Sequence, residues 1–236
     1  MLHVGKTGGL AVKEAIRGPQ RGVQSVYQDA APGTRILVHS HFVGLRDVPV
    51  GDEVVITLRD PVARYVSGFN SRQRQGLPKH FNAWKPGERR AFERFASPDE
   101  LGLALASTDT DERGAAEAAM GHIGHVRTHL SDWLGSPERV RQRREDFLLV
   151  AWLETLAGDF ERLRGLLDLA PDRVLPADPR TAHRAPSTQA TSLSAGAERN
   201  LRAWYRRDDA FIDAMVEMGL TELPAAVVER RARTGR

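Results

Sequence analysis

Apolar positions along the chain switch repeatedly between strand-like runs and helical spacing. Leu2-His3-Val4 is a short apolar start. Gly5-Lys6-Thr7-Gly8-Gly9 follows, then an amphipathic stretch over residues 10–17 that Gly18-Pro19 ends. Residues 23–27 and 35–39 read as short strands and residues 53–58 as a stronger one. That last run is almost continuously apolar, the pattern of a strand buried on both faces of a parallel sheet. Asp60-Pro61 supplies an N-cap and a proline at the first helical position, which predicts a helix over residues 62–74.

Farther along, Gly76-Leu77-Pro78 and Lys85-Pro86-Gly87 mark loops, with two or three helices expected between residues 88 and 134. Residues 147–151 read as a fifth strand, backed by a helix over 155–169. Residues 171–192 are rich in Pro, Ser, Thr and Ala and read as a long loop of a kind that is usually functional or mobile. Two helices close the chain, separated near Arg207-Asp208-Asp209. Strands alternating with helices predict an α/β fold: a central parallel sheet of about five strands flanked by helices. The expected organisation is one domain over 1–236, with a mainly helical, acceptor-side insertion at 76–135 and a helical C-terminus.

Composition changes the picture in two ways. The 236 residues contain no cysteine, which excludes disulfide frameworks, thiol nucleophiles and thiolate-ligated metal centres. Thirty-four Lys+Arg against 31 Asp+Glu give a net +3, but residues 59–90 hold eight cations against Asp60 and Glu88, a local +6. A focused positive region attracts anions. The segment lacks the aromatic interleaving of a nucleic-acid binder, so phosphorylated small molecules or acidic polysaccharides are the expected anions. No apolar run approaches the ~20 residues of a membrane span, and Met-Leu-His-Val-Gly-Lys leaves no room for a signal-peptide core. A soluble, cytoplasmic and, given the arginine bias of a GC-rich genome, bacterial protein is expected.

Gly5-Lys6-Thr7-Gly8-Gly9 sits where a strand hands over to a helix. Unhindered backbone N–H groups, a helix N-terminus and a cation together suit a phosphate. Only Gly5-Lys6-Thr7 matches the end of the nucleoside-triphosphatase loop Gly-x-x-x-x-Gly-Lys-Ser/Thr. One short turn favours a single phosphate-like group over a triphosphate. Arg59, at the C-terminal end of a predicted strand, stands where ligands bind in open α/β sheets. Ser67, two helical turns past the Asp60 cap, can converge with it on a second anion.

Together the two motifs resemble the sulfotransferases that use 3′-phosphoadenosine 5′-phosphosulfate (PAPS), whose fold is P-loop nucleotide-binding-like. His3-Val4-Gly5-Lys6-Thr7-Gly8-Gly9 is similar to that family's 5′-phosphosulfate loop, with Gly5 where proline is usual. Arg59-Asp60-Pro61 with Ser67 resembles its 3′-phosphate element. The likeness is strongest over residues 2–75, and continues more weakly through Trp152-Leu153-Glu154 and Trp204-Tyr205-Arg206-Arg207-Asp208. It is nearer the carbohydrate-type branch than the cytosolic aryl branch. The resemblance implies that Lys6 and the Thr7–Gly9 amides hold the phosphosulfate, and that Arg59 and Ser67 hold the 3′-phosphate.

His39-Ser40-His41-Phe42 lies between the two anion motifs in sequence. An acceptor oxygen must lose a proton during transfer, and histidine is the usual base near neutral pH. Residues 39 and 41 point to the same side of an extended segment, so local geometry decides which faces the acceptor. The family resemblance maps the base onto His41.

Arg72, Arg74, Lys79 and His80 follow the anion helix and are candidate acceptor contacts, as is His39; a solvated helix end is the competing reading. His122, His125 and His129 fall on one face of a predicted helix, where a solvated face is commoner than a metal site. The four tryptophans read as packing residues. The expected reaction is sulfuryl transfer from PAPS to a hydroxyl of a carbohydrate or small metabolite, releasing 3′-phosphoadenosine 5′-phosphate (PAP). No metal, nucleic acid or membrane partner is expected. A P-loop kinase or nucleotide hydrolase and a non-catalytic polyanion-binding module are the alternatives.

Overall fold

The apolar run of residues 53–58 does form a buried strand, and much of the fold is organised on it. The computed structural model describes residues 1–17, 25–27, 35–39, 41–78, 81–177 and 192–235. In chain order these form α1 (Gly9–Arg17), β1 (Ser25–Tyr27), β2 (Ile36–Val38), β3 (Val54–Leu58) and α2 (Pro61–Gln73). Four helices follow, α3 (Pro86–Arg94), α4 (Pro98–Ala104), α5 (Thr110–His122) and the short α6 (Ser131–Leu134). Then come α7 (Pro137–Gln142), β4 (Phe147–Trp152), α8 (Leu156–Leu166), α9 (Ala195–Trp204), α10 (Arg206–Glu217) and α11 (Ala225–Ala232). The protein is thus α/β. Among the described residues, no helix is long and apolar enough to cross a membrane.

Two units divide the chain. The first comprises Met1–Arg59, Leu130–Arg184 and Phe211–Pro224; the second comprises Asp60–His129, Ala185–Ala210 and Ala225–Arg236. In the first unit β3 pairs in parallel with β4, from Val55 opposite Leu149 to Leu58 opposite Trp152. All five β3 residues are buried, as a strand covered on both faces must be. Val12, Ala15 and Ile16 of α1 and Phe160 and Leu163 of α8 pack in one core with Val55, Leu149 and Ala151. The Val, Leu, Ile and Phe side chains among these each contribute about 1.5–3 kcal/mol of burial.

The sheet differs from the expected continuous parallel sheet of five strands. Among the described residues there are two two-stranded sheets, and β1 runs antiparallel to β2. Leu2-His3-Val4 is not a strand. Instead of a full ladder, residues 1–4 make single bonds, Leu2 N to Val55 O (2.8 Å) and His39 N to Met1 O (3.1 Å).

Helices make up the described part of the second unit. Asp60 caps α2 by accepting from Ala63 N at 2.9 Å, with Pro61 at the first helical position. Val62, Tyr65, Val66 and Phe69 of α2 share a core with Leu101, Met120, Leu201 and Tyr205. Gly102 lets α4 approach α9, since a Cβ there would stand 2.9 Å from Ala197 Cβ. Among the described residues of 76–135 there are four helices, where two or three are expected between residues 88 and 134. A buried charge network joins the helices: Arg202 pairs with Asp60 (2.6 Å) and Asp209 (3.2 Å), and Arg231 with Asp209 (3.1 Å).

Candidate functional site

The glycine-rich turn hands over to α1 at Gly9. Lys6 sits at φ +70° and Gly8 at φ +84°, a left-handed pair that folds the chain back on itself. Gly8 is required twice over, since a Cβ there would also lie 2.7 Å from Leu153 Cδ1. At Gly9 a Cβ would meet His3 Cδ2 at 2.7 Å and Thr57 Oγ1 at 3.2 Å. The first helical N–H groups bonded back along the chain are those of Ala11 and Val12, to Gly8 O. The amides before them head the helix, in the position that suits an anion.

Thr7 is fully buried, and its hydroxyl is committed internally. It donates to Val4 O at 2.8 Å, so its 2.8 Å bond with Thr57 is donated by the Thr57 hydroxyl. The backbone of the turn is therefore anchored to β3 through two buried hydroxyls. Arg59, one residue past β3, turns its guanidinium onto the same turn, with Nη1 3.3 Å from Lys6 O. Lys6, Gly8 and Gly9 are thus brought together with Arg59. Ser67 lies half-buried on α2 in the second unit.

His39 and His41 have different surroundings. His39 is half-buried, its N–H bonded to Met1 O and its carbonyl accepting from the buried Lys13 ammonium of α1. His41 is exposed, with its ring 6.3 Å from the His3 ring and 4.2 Å from the Phe42 ring. Since His3 also packs on Gly9, a continuous row runs from the turn through His3 to His41 and Phe42. Desolvation, then the Lys13 charge, hold the His41 pKa below the usual histidine value. Desolvation lowers His39 in the same direction. A lowered pKa leaves the imidazole neutral and able to accept a proton near pH 7.

The backbone beyond His41 is pinned by two residues that sequence reasoning missed. Trp133 Nε1 donates to His41 O at 2.9 Å, and a Cβ on Gly44 would stand 2.7 Å from Trp133 O. The largely buried Arg143 donates to the carbonyls of Leu45, Val48 and Pro49 at 2.9, 2.7 and 2.6 Å. Its Nε is 2.6 Å from Asp146 Oδ2, which balances the charge. Both contacts span more than ninety positions of sequence, so no local signal marks them.

Other expected positions are placed elsewhere. Arg72 is buried and turned inward: Nε and Nη2 lie 2.6 and 2.8 Å from the Glu88 oxygens, and Nη1 and Nη2 also reach the carbonyls of Asn82 and Ala83. That geometry fits a structural role in place of acceptor contact. Burial alone would raise the Glu88 pKa, but Arg72 and the amides of Gly124 and Lys85 take it down to about 2. Arg74 is half-buried and donates from Nε to Leu77 O at 3.2 Å. Glu88 is already in the local +6, but Asp208, outside that segment, lies 3.5 Å from the buried Arg64 and offsets one of its cations. Lys79, His80, Ser40 and most of the 171–192 loop lie outside the described residues.

The three histidines expected on one helix face do not share one. Helix α5 ends at His122, His125 turns away at φ +67°, and His129 Nδ1 lies 3.2 Å from Asp208 Oδ1. Among the described residues no group of three or more His, Asp or Glu side chains is placed to hold a metal ion. Comparison with protein-family models, curated proteins and solved structures returns no match for this chain.

Proposed function

We propose that the protein is a sulfotransferase moving a sulfuryl group from PAPS to an acceptor hydroxyl. The observation that carries this reading is the row from the glycine turn through His3 to His41, with Arg59 drawn onto the turn at Lys6 O. An anion cradle, two cations and a neutral imidazole are what the transfer requires. The bonds Leu2 N to Val55 O and His39 N to Met1 O favour a P-loop-like sheet in which residues 1–4 run beside β3.

In the transfer, the acceptor oxygen attacks sulfur as the bond from sulfur to the bridging phosphate oxygen breaks. PAP leaves with that electron pair, and His41 takes the acceptor's proton. Lys6 and the amides at the head of α1 stabilise the charge gathering on the leaving oxygen. Positioning and charge compensation supply the catalysis, as in phosphoryl transfer. Arg59 holds the 3′-phosphate and so discriminates PAPS from ATP. The acceptor is a carbohydrate or small-metabolite alcohol.

A P-loop kinase is less well supported. In that class the loop threonine hydroxyl binds magnesium. Here the Thr7 hydroxyl is buried and shared between Val4 O and Thr57. A polyanion-binding module is weakened by the inward-facing Arg64 and Arg72. The test is a thermal-shift comparison of PAP with ATP and magnesium. Selective stabilisation by PAP supports the sulfotransferase; preference for ATP, or indifference to both, overturns it.

A further inference from the structure

Gly9 opens α1, and the space a side chain would need there is taken by an imidazole. A Cβ on Gly9 would stand 2.7 Å from His3 Cδ2 and 3.3 Å from His3 Nε2. The half-buried His3 ring therefore lies against the head of the helix. The same ring stands 6.3 Å from the His41 ring, at 86° to it. One side chain thus meets both the anion cradle and the proposed base. In the transfer above, neither the leaving oxygen nor the acceptor's proton goes to it.

We propose that His3 is a further binding residue of the donor site, one that donates a ring N–H to a peripheral oxygen of the sulfuryl group in transit. This rests on the sulfotransferase reading above. The distances supply the reason. A base nitrogen lies about 3 Å from the oxygen it deprotonates. That oxygen lies about 3–3.5 Å from the atom it attacks. The sulfur accordingly stands about 6 Å from the His41 nitrogen, and it stands at the cradle, because the amides heading α1 hold its leaving oxygen. The His3 ring is at that distance from His41 and on that helix head. Two imidazoles then take opposite parts. His41 accepts the acceptor's proton, whereas His3 keeps its own, and a neutral ring with one N–H suffices for that. A donor already in place on a peripheral oxygen holds the sulfur on the line between entering and leaving oxygens. The same contact requires Gly9, since a methyl group there would displace the donor.

PAPS carries the sulfuryl group and PAP does not, so the two ligands separate a sulfuryl contact from a packing residue, with no acceptor needed. Calorimetry compares their affinities in wild type, H3F and H3Q. H3F keeps a ring against Gly9 without the donor; PAPS binding weakens about tenfold, while PAP binding stays within about twofold. H3Q restores an N–H donor and regains most of the PAPS affinity. In the wild type, the His3 ring-nitrogen NMR resonances move farther on adding PAPS than on adding PAP. If H3F does not fold, those resonances decide alone. Unchanged PAPS affinity in H3F, equal weakening of both ligands, an H3Q no better than H3F, or equal ring shifts with PAPS and PAP each overturn the proposal and leave the sulfotransferase reading standing. A wild type that binds neither PAPS nor PAP overturns that reading itself, and with it this inference.

Discussion

The indole nitrogen of Trp133 donates to the main-chain oxygen of His41 at 2.9 Å, so the proposed base is held through its backbone while its ring stays exposed. W133F keeps the packing of the aromatic ring and deletes that one donor. Turnover should fall by about one order of magnitude, with the affinity for PAP unchanged, because misplacing a catalytic group by an ångström is costly. H41A should lose about 10²–10⁴-fold in kcat. Wild-type activity in H41A, read as PAP release, would remove His41 from the mechanism.

Lys6 is half-buried, on a turn shaped by Gly8 and by the Thr7–Thr57 anchor. K6A should therefore fold with a Tm close to wild type, while kcat drops about 10²–10³-fold through loss of charge at the leaving oxygen. A large fall in Tm would mean that the ammonium is structural. Melting curves and PAP release on the same preparation separate the two.

The pH dependence follows from the direction of the His41 shift. Desolvation and the Lys13 charge lower its pKa, so the imidazole stays neutral to lower pH than an ordinary histidine. The rate should rise with pH through that lowered value and then level off. K13M removes one of the two lowering causes and should move the acid limb to higher pH. NMR titration of the His41 ring gives the same answer without turnover; a limb that stays in place or moves down contradicts the assignment.

The Thr7–Thr57 pair lies at 2.8 Å and both residues are buried. T7V leaves the Thr57 hydroxyl and Val4 O without this partner, whereas T57V removes only one donor from a Thr7 that still bonds Val4 O. T7V should cost about 1–3 kcal/mol and T57V about 1 kcal/mol. Urea melts of the two variants test the order, and a larger loss in T57V would reverse the donor direction deduced for the pair.

What could be read in the sequence was what backbone chemistry dictates locally. Gly8 and Gly9 announce a turn that only glycine fits, the run at 53–58 announces a doubly buried strand, and Asp60-Pro61 announces the start of α2. Pairings between distant positions carried no such mark. Glu88 captures Arg72 from 16 residues away, Trp133 reaches His41 across 92, and Leu2 meets Val55 through a single bond. Charge counting over 59–90 missed one partner for the same reason: Asp208, which lies against the buried Arg64, stands far away in sequence.

The Arg72–Glu88 pair separates a structural arginine from an acceptor-binding one. Glu88 is 2% exposed, and its pKa falls from an ordinary 4.5 to about 2 through the Arg72 guanidinium and two amides, against burial. A depressed carboxylate contributes stability above its unfolded pKa and loses it as pH falls through the folded value. The contribution here is about 3 kcal/mol, present at pH 7 and lost between about pH 5 and pH 2. E88Q should therefore be clearly less stable than wild type at neutral pH, and the gap should narrow steadily on acidification across that window. R72M leaves Glu88 a buried charge without its guanidinium and should cost about 3–5 kcal/mol. Denaturant melts at several pH values measure both. A gap between wild type and E88Q that is the same at pH 7 and about pH 3 would show that the ion pair contributes nothing through its charge, and an R72M variant of normal stability with a raised acceptor KM would return Arg72 to the acceptor side.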